Sequence, residues 1–189
     1  MKLNLPNSLT LLRIALIPAY VVFFWLPWHW TNLVAAGIFL LAAITDWADG
    51  YLARKLNQTS ALGAFLDPVA DKLIVAVALV LLLERDPSAL LALPVAVIIG
   101  REIAVSALRE WMAELGARSQ VAVSVIGKVK TTVQMIALLL MTARDPVLGL
   151  PIYVIGFVGL YAAAALTLWS MVIYLRAAWP ELTRDSPPP

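Results

Sequence analysis

The chain has 189 residues, of which 62% are hydrophobic and 14% are charged, and its mean hydropathy is +0.87. A water-soluble domain is about 45–50% apolar and about 25% charged, so most of this chain must face lipid or other protein. The absence of cysteine and the single His29 exclude disulfides, thiolate metal sites and multi-histidine zinc sites. The net charge of only +2 gives no nucleic-acid-binding footprint.

Six apolar stretches are each long enough to cross a bilayer, which takes about 20 residues; they are 9–28, 32–54, 60–84, 88–113, 120–143 and 151–176. Segments of this length are too long for barrel strands, and in lipid a helix satisfies its own backbone hydrogen bonds. The sequence therefore predicts an all-α membrane protein with six transmembrane helices. The breaks between the stretches are short, which predicts that successive helices pack as antiparallel neighbours.

The domain organisation is simple, with neither an internal repeat nor a second domain in the sequence. We predict one six-helix domain over 1–178 and a cytoplasmic tail over 179–189. The tail ends in three prolines, which cannot continue a helix, so it is expected to be disordered.

Basic residues predict the orientation of the chain in the membrane. With the N-terminus placed in the cytoplasm, nearly all lysine and arginine residues fall in the cytoplasmic half, and only Arg85 and Arg144 lie at the outer ends. Both termini are then cytoplasmic. Trp25, Trp28 and Trp30 would form an aromatic belt at the outer face.

Four aspartates stand within the predicted second and third spans, where ionisable groups are costly and usually functional. Asp46 and Asp49 are three residues apart, and Asp67 and Asp71 are four apart, so each pair lies on one helix face. Both pairs lie at a similar distance from the same short loop. They are therefore expected to face each other at one depth.

Facing carboxylates in a low-dielectric environment must either take up protons or bind cations. Two Mg²⁺ or Mn²⁺ ions, which prefer oxygen ligands, are the expected counter-charge, and a pair of such ions suits phosphoryl transfer. The alternative is a structural network in which the aspartates pair with Arg54 and Lys72. Gly50 would allow a base or phosphate to approach the helix backbone, or would serve close helix packing.

The pattern Asp46-x2-Asp49-Gly50-x2-Ala53-Arg54-x8-Gly63-x3-Asp67-x3-Asp71 resembles the complete signature of the CDP-alcohol phosphotransferase family. The resemblance implies six transmembrane helices, usually in a homodimer, and a CDP-activated donor. It implies that the four aspartates hold two divalent ions over the diphosphate and that Asp71 is also the general base. It further implies a nucleotide site formed by Asp49, Gly50, Ala53, Arg54 and Gly63.

A group of basic residues on the fourth and fifth spans indicates an anionic acceptor. Arg101 and Arg109 are eight residues apart, which returns close to one helix face, and Lys128 and Lys130 lie at a similar depth. Arginine offers a two-pronged donor for phosphate, which favours glycerol 3-phosphate as acceptor. Alternatively, Arg101 pairs with Glu102 or an aspartate, the lysines extend to the lipid headgroups, and Arg109 lies in the interface.

The stretches 100–111 and 121–134 and the N-terminal segment 5–13 resemble the bacterial members of this family that make phosphatidylglycerophosphate. That resemblance implies transfer of a phosphatidyl group from CDP-diacylglycerol to sn-glycerol 3-phosphate, with release of CMP, in the bacterial cytoplasmic (inner) membrane. Arg101, Arg109 and Lys128 would hold the acceptor phosphate. Further candidate contacts are Asn7, Thr10, Arg13, Lys72, Glu102 and Lys130, with Glu102 expected to orient Arg101 and Arg13 to serve the phosphate site or pair with an aspartate.

Other functions remain open from the sequence. The same chemistry could use serine, inositol phosphate or phosphatidylglycerol as acceptor, although serine has no phosphate for the basic residues to bind. A small cation transporter could use the aspartates as its ion site, but such proteins usually show repeated halves and broken helices. A purely structural membrane protein has no use for four intramembrane carboxylates.

Overall fold

The computed structural model describes residues 5–56, 61–116 and 125–183; within these ranges the side chains of residues 5, 6, 47, 50–56, 61, 62, 64, 125, 126 and 128 are outside the description. The described chain forms six α-helices and no regular β-strand: α1 Leu5–Trp25, α2 Thr31–Leu56, α3 Ala61–Arg85, α4 Ala89–Glu114, α5 Val125–Ala143 and α6 Ile152–Leu182. Of these, α1, α4 and α6 are long and apolar enough to cross a membrane. The all-helical prediction is confirmed.

Most observed helix ends fall within three residues of the predicted spans. Helix α1 begins at Leu5, earlier than the predicted apolar run. Helix α6 continues to Leu182, so residues 179–182 are helical and not part of a disordered tail. The extension is held at its end because the Thr183 hydroxyl and backbone N–H both donate to the Trp179 carbonyl, at 2.9 and 3.1 Å. Residues beyond 183 lie outside the described chain.

Helices α1 and α6 organise the bundle, because each packs against its neighbour in sequence and against one further helix. Helix α1 packs against both α2 and α3, which touch each other only slightly, and α6 packs against both α5 and α4. No close backbone contact joins α4 to α5 in the described residues. The expectation that all successive helices pack together was therefore wrong for α4 and α5, which are separated because α6 lies against both of them.

The core and the outer surface are both apolar. Tyr20, Phe39, Leu82 and Leu138 are completely or almost completely buried where the helices meet. Large hydrophobic side chains such as those of Val22, Leu33, Leu93, Val158 and Trp169 are exposed. A continuous apolar exterior of this kind suits lipid rather than water.

One end of the bundle is joined by a network of charged and polar groups. Arg144 donates through both terminal nitrogens to Asp86, at 2.6 and 2.9 Å, and the Tyr153 hydroxyl donates to the same carboxylate at 3.1 Å. The hydrogen bonds from Arg144 hold the pKa of Asp86 below its usual range. Arg85 donates to Asn32 at 2.8 Å, so the network reaches α2 as well. It fixes the turns at the end of the molecule opposite the four aspartates.

The contact between α5 and α6 depends on a glycine. A side-chain carbon at Gly156 would stand 2.8 Å from the Ala137 carbonyl oxygen and 2.8 Å from the Met141 side chain, whereas the same addition at Gly37 meets nothing within 4 Å. We expect Gly156→Ala to lower the free energy of unfolding by about 1–3 kcal/mol, since the helices must separate. Gly37→Ala should leave it unchanged or raise it by up to about 1 kcal/mol.

Thermal or denaturant unfolding of the two purified variants in detergent measures this difference. Equal stability of both variants would contradict the close packing of α5 on α6.

Candidate active site

A buried arginine of α1 lies among the aspartates of α2 and α3. Arg13 is fully buried and forms close ion pairs with Asp49 and Asp71, and its Nη1 atom lies 3.0 Å from Asp46. Because α1 lies between α2 and α3, one guanidinium reaches carboxylates on both helices. The two aspartate pairs therefore meet at one site, as their spacing predicted. Arg13 of α1 supplies a positive charge that neutralises part of their negative charge.

The fourth carboxylate is held by the same helix. The Thr10 hydroxyl, one turn before Arg13, donates to Asp67 at 2.6 Å. Asp49 is buried, but the side chains of Asp46 and Asp71 keep 46% and 45% of their surface exposed. The carboxylates of Asp46 and Asp71 are therefore partly exposed at the surface of the site.

The chemistry of this donor set fits a hard divalent cation. It consists of carboxylate oxygens, with no sulfur or imidazole nitrogen nearby, which is what Mg²⁺ and Mn²⁺ prefer. Among the described residues no three acidic or histidine side chains are placed to hold one ion together. The Arg13 guanidinium contacts three of the four aspartates and supplies positive charge between them.

A second charged cluster lies on α4, α5 and α6. Arg101 donates through Nη1 to Glu102 at 2.9 Å and through Nη2 to the Ser170 hydroxyl at 2.7 Å. Lys130 donates to the same Glu102 oxygen at 2.5 Å. The Arg101 guanidinium also lies over the Tyr174 ring, 5.6 Å from its centre. The expected pairing of Glu102 with Arg101 is present, and it extends to Lys130.

A short chain of hydrogen bonds runs from Lys72 on α3 to the backbone of α4. Lys72, the residue after Asp71, donates to the Ser106 hydroxyl at 2.6 Å, and Ser106 donates to the backbone carbonyl of Glu102 at 2.5 Å. These two hydrogen bonds connect α3, at the residue after Asp71, to the backbone of α4 at Glu102.

The remaining candidate site residues differ in exposure, or their side chains are outside the description. Arg109 is exposed and forms no hydrogen bond or ion pair with another described residue, whereas Arg101 is buried. Eight residues of helix leave a rotation of about 80° between them, so they do not share one surface. Asn7 and Gly63 are buried. The side chains of Gly50, Ala53, Arg54 and Lys128 lie outside the description.

Helix α6 contributes two side chains to the cationic cluster that were not predicted from the sequence. Ser170 bonds to Arg101, and Tyr174 lies beneath it, yet neither was a candidate. A signal was present, because Thr167, Ser170 and Tyr174 recur at intervals of three and four residues in an otherwise apolar helix. That spacing puts them on one face, and all three are buried.

Comparison with known proteins defines the class to which this fold and site belong. The family model for CDP-alcohol phosphatidyltransferase matches residues 3–173. The chain belongs to this family, as the aspartate motif indicated. The match includes both the aspartates and the cationic cluster.

Relatives with curated names are similar over nearly the whole chain. One from Sodalis glossinidius is 56% identical and one from Pseudomonas fluorescens 53% identical, each over 184 residues. These alignments cover 96% and 97% of this chain, and 98% and 94% of the relatives. A Salmonella typhimurium relative is 55% identical over 182 residues. All three are named CDP-diacylglycerol–glycerol-3-phosphate 3-phosphatidyltransferase.

Proposed function

We propose that this protein transfers the phosphatidyl group of CDP-diacylglycerol to sn-glycerol 3-phosphate, giving phosphatidylglycerophosphate and CMP. The observation that carries the proposal is the near-full-length identity of 53–56% to relatives named for that reaction. The four aspartates at one site and the cationic cluster on α4 and α5 are groups that suit such a reaction.

In the proposed reaction Asp71 accepts the proton of the attacking glycerol hydroxyl. Its exposed carboxylate can reach a substrate from the open side of the site. The hydroxyl oxygen then forms a bond to the phosphorus that carries diacylglycerol, and the bond from this phosphorus to the CMP oxygen breaks. General-base assistance is chemically required because the alcohol must lose its proton as it attacks.

Asp46, Asp49, Asp67 and Asp71 would hold two Mg²⁺ or Mn²⁺ ions, which supply positive charge against the diphosphate when bound. Thr10 and Arg13 orient these carboxylates from α1. Gly50, Ala53, Arg54 and Gly63 are proposed to form the nucleotide site with Asp49.

The acceptor phosphate is proposed to bind at Arg101, Arg109 and Lys128, with Lys130 and Lys72 close by. Arg101 has five N–H donors, of which two are used by Glu102 and Ser170. The remaining donors are available to an anion. Arg109 stands two turns further along α4 with its side chain exposed, where it can meet the acceptor as it enters.

We further propose six transmembrane spans in the bacterial cytoplasmic (inner) membrane, with both termini and the active site toward the cytoplasm, and a homodimeric assembly. The excess of basic residues at the aspartate end supports this orientation. Exposed Trp25, Trp28 and Trp30 support a membrane interface at the opposite end.

Removal of divalent ions is expected to abolish turnover. CMP release from CDP-diacylglycerol and glycerol 3-phosphate should fall to background with excess EDTA and return when Mg²⁺ or Mn²⁺ is added beyond the chelator. EDTA already saturated with Mg²⁺ is the control and should have no effect. Turnover that persists in metal-free buffer would end the two-ion proposal.

A further inference from the structure

Glu102 is shared by two buried cations from different helices. Its Oε1 atom accepts from Arg101 on its own helix at 2.9 Å and from Lys130 on α5 at 2.5 Å. Arg101 and Lys130 are only 6% and 4% exposed, so neither charge is screened well by water. Because α4 and α5 make no close backbone contact in the described residues, this carboxylate is a direct link between the two helices.

The cluster carries one more positive charge than negative charge. Within the described chain, Glu102 is the only acidic partner of both Arg101 and Lys130. A buried charge without a counter-charge is costly, so the cluster is suited to an incoming anion. The Arg101 Nε atom is buried and has no hydrogen-bond partner in the described structure. At least one buried donor is therefore left for that anion.

The orientation of the free donors depends on Glu102 and Ser170. The Nη1 atom of Arg101 donates to Glu102, and its Nη2 atom donates to Ser170. Without the shared carboxylate, Arg101 and Lys130 would repel each other and lose their fixed separation. Ser106 links the Glu102 backbone to Lys72, beside the proposed base.

We propose that Glu102 is a positioning residue that sets the selectivity for a phosphorylated acceptor. It holds Arg101 and Lys130 at a fixed separation and leaves an excess of one positive charge for the acceptor's phosphate. This inference rests on the proposed function, since it assumes that the acceptor is glycerol 3-phosphate.

The test compares Glu102→Gln with Glu102→Asp by steady-state CMP release. Glu102→Gln should raise the KM for glycerol 3-phosphate about tenfold, because the charged hydrogen bonds that orient both cations are lost. The KM for CDP-diacylglycerol should stay within about twofold, which a general loss of structure would not produce. Glu102→Asp keeps the charge and should recover part of the loss. Glu114→Gln, an exposed carboxylate near the end of the same helix, is the matched control.

The possible outcomes distinguish a failure of the proposed role of Glu102 from a failure of the proposed function. An unchanged KM for glycerol 3-phosphate in Glu102→Gln, or an equal rise in both KM values, overturns it while leaving the proposed function intact. A wild-type protein that releases no CMP with glycerol 3-phosphate overturns the proposed function itself.

If Glu102→Gln does not fold, Ser170→Ala removes the other orienting bond of Arg101. That variant should raise the same KM about threefold, and an unchanged value would overturn the inference.

Discussion

Asp71→Asn is expected to lower kcat about 1,000-fold while the protein remains folded. The loss follows because the amide cannot accept the proton of the acceptor hydroxyl, and positioned general bases contribute roughly 10²–10⁴-fold. Asparagine keeps a carbonyl oxygen that can accept the hydrogen bond from Arg13, so the helix packing around the site should survive.

The measurement is CMP release by the purified variant at saturating concentrations of both substrates, with unfolding temperature as the check on folding. Asp145→Asn removes a carboxylate at the opposite end of the bundle, where it accepts only from Asn32 in the described residues, and should keep near-normal turnover. An Asp71→Asn protein with activity within tenfold of the wild type would remove Asp71 as the base.

Arg13→Gln is expected to lower the free energy of unfolding of the metal-free protein by about 3–5 kcal/mol. That is the usual cost of removing one partner of a buried charge pair, and Arg13 contacts three carboxylates at once. Arg13→Lys keeps the charge but loses the fork that reaches both helices, so its loss should be smaller.

Mn²⁺ should restore part of the lost stability of Arg13→Gln, since a bound cation replaces the missing positive charge. Thermal unfolding in detergent, with EDTA or with Mn²⁺, measures both effects. Arg109→Gln, at an exposed position, is the control and should change stability by no more than about 0.5 kcal/mol. An Arg13→Gln protein as stable as the wild type in EDTA would contradict the role of Arg13 as counter-charge.

The helical class and the number of helices were predictable from hydropathy, because long apolar segments make up most of the chain. The helix order and most boundaries followed from the positions of the charged and proline-containing breaks. Helix packing followed only in part, because a short connection fixes only the distance between two helix ends; α4 and α5 make no close backbone contact in the described residues. The insertion of α1 between α2 and α3 depends on contacts such as those of Arg13 with residues 36 and 58 positions away.

For the candidate site, too, local spacing was predictable from the sequence and contacts between distant residues were not. The aspartate spacing predicted a common site because helical periodicity relates residues three or four apart. The sharing of Glu102 by Arg101 and Lys130 could only be partly anticipated, since Lys130 lies 28 residues away on another helix. The bond from Arg101 to Ser170 spans 69 residues, and no local pattern encodes it.

The most direct test of the proposed reaction is an acceptor screen with the purified protein. CDP-diacylglycerol and Mg²⁺ are supplied with glycerol 3-phosphate, serine, inositol 1-phosphate or phosphatidylglycerol in separate reactions, and CMP release is measured. We expect CMP release only with glycerol 3-phosphate. Release with another acceptor alone would keep the aspartate chemistry but contradict the acceptor site at Arg101, Arg109 and Lys128, and no release with any acceptor from folded protein would contradict the proposed reaction as a whole.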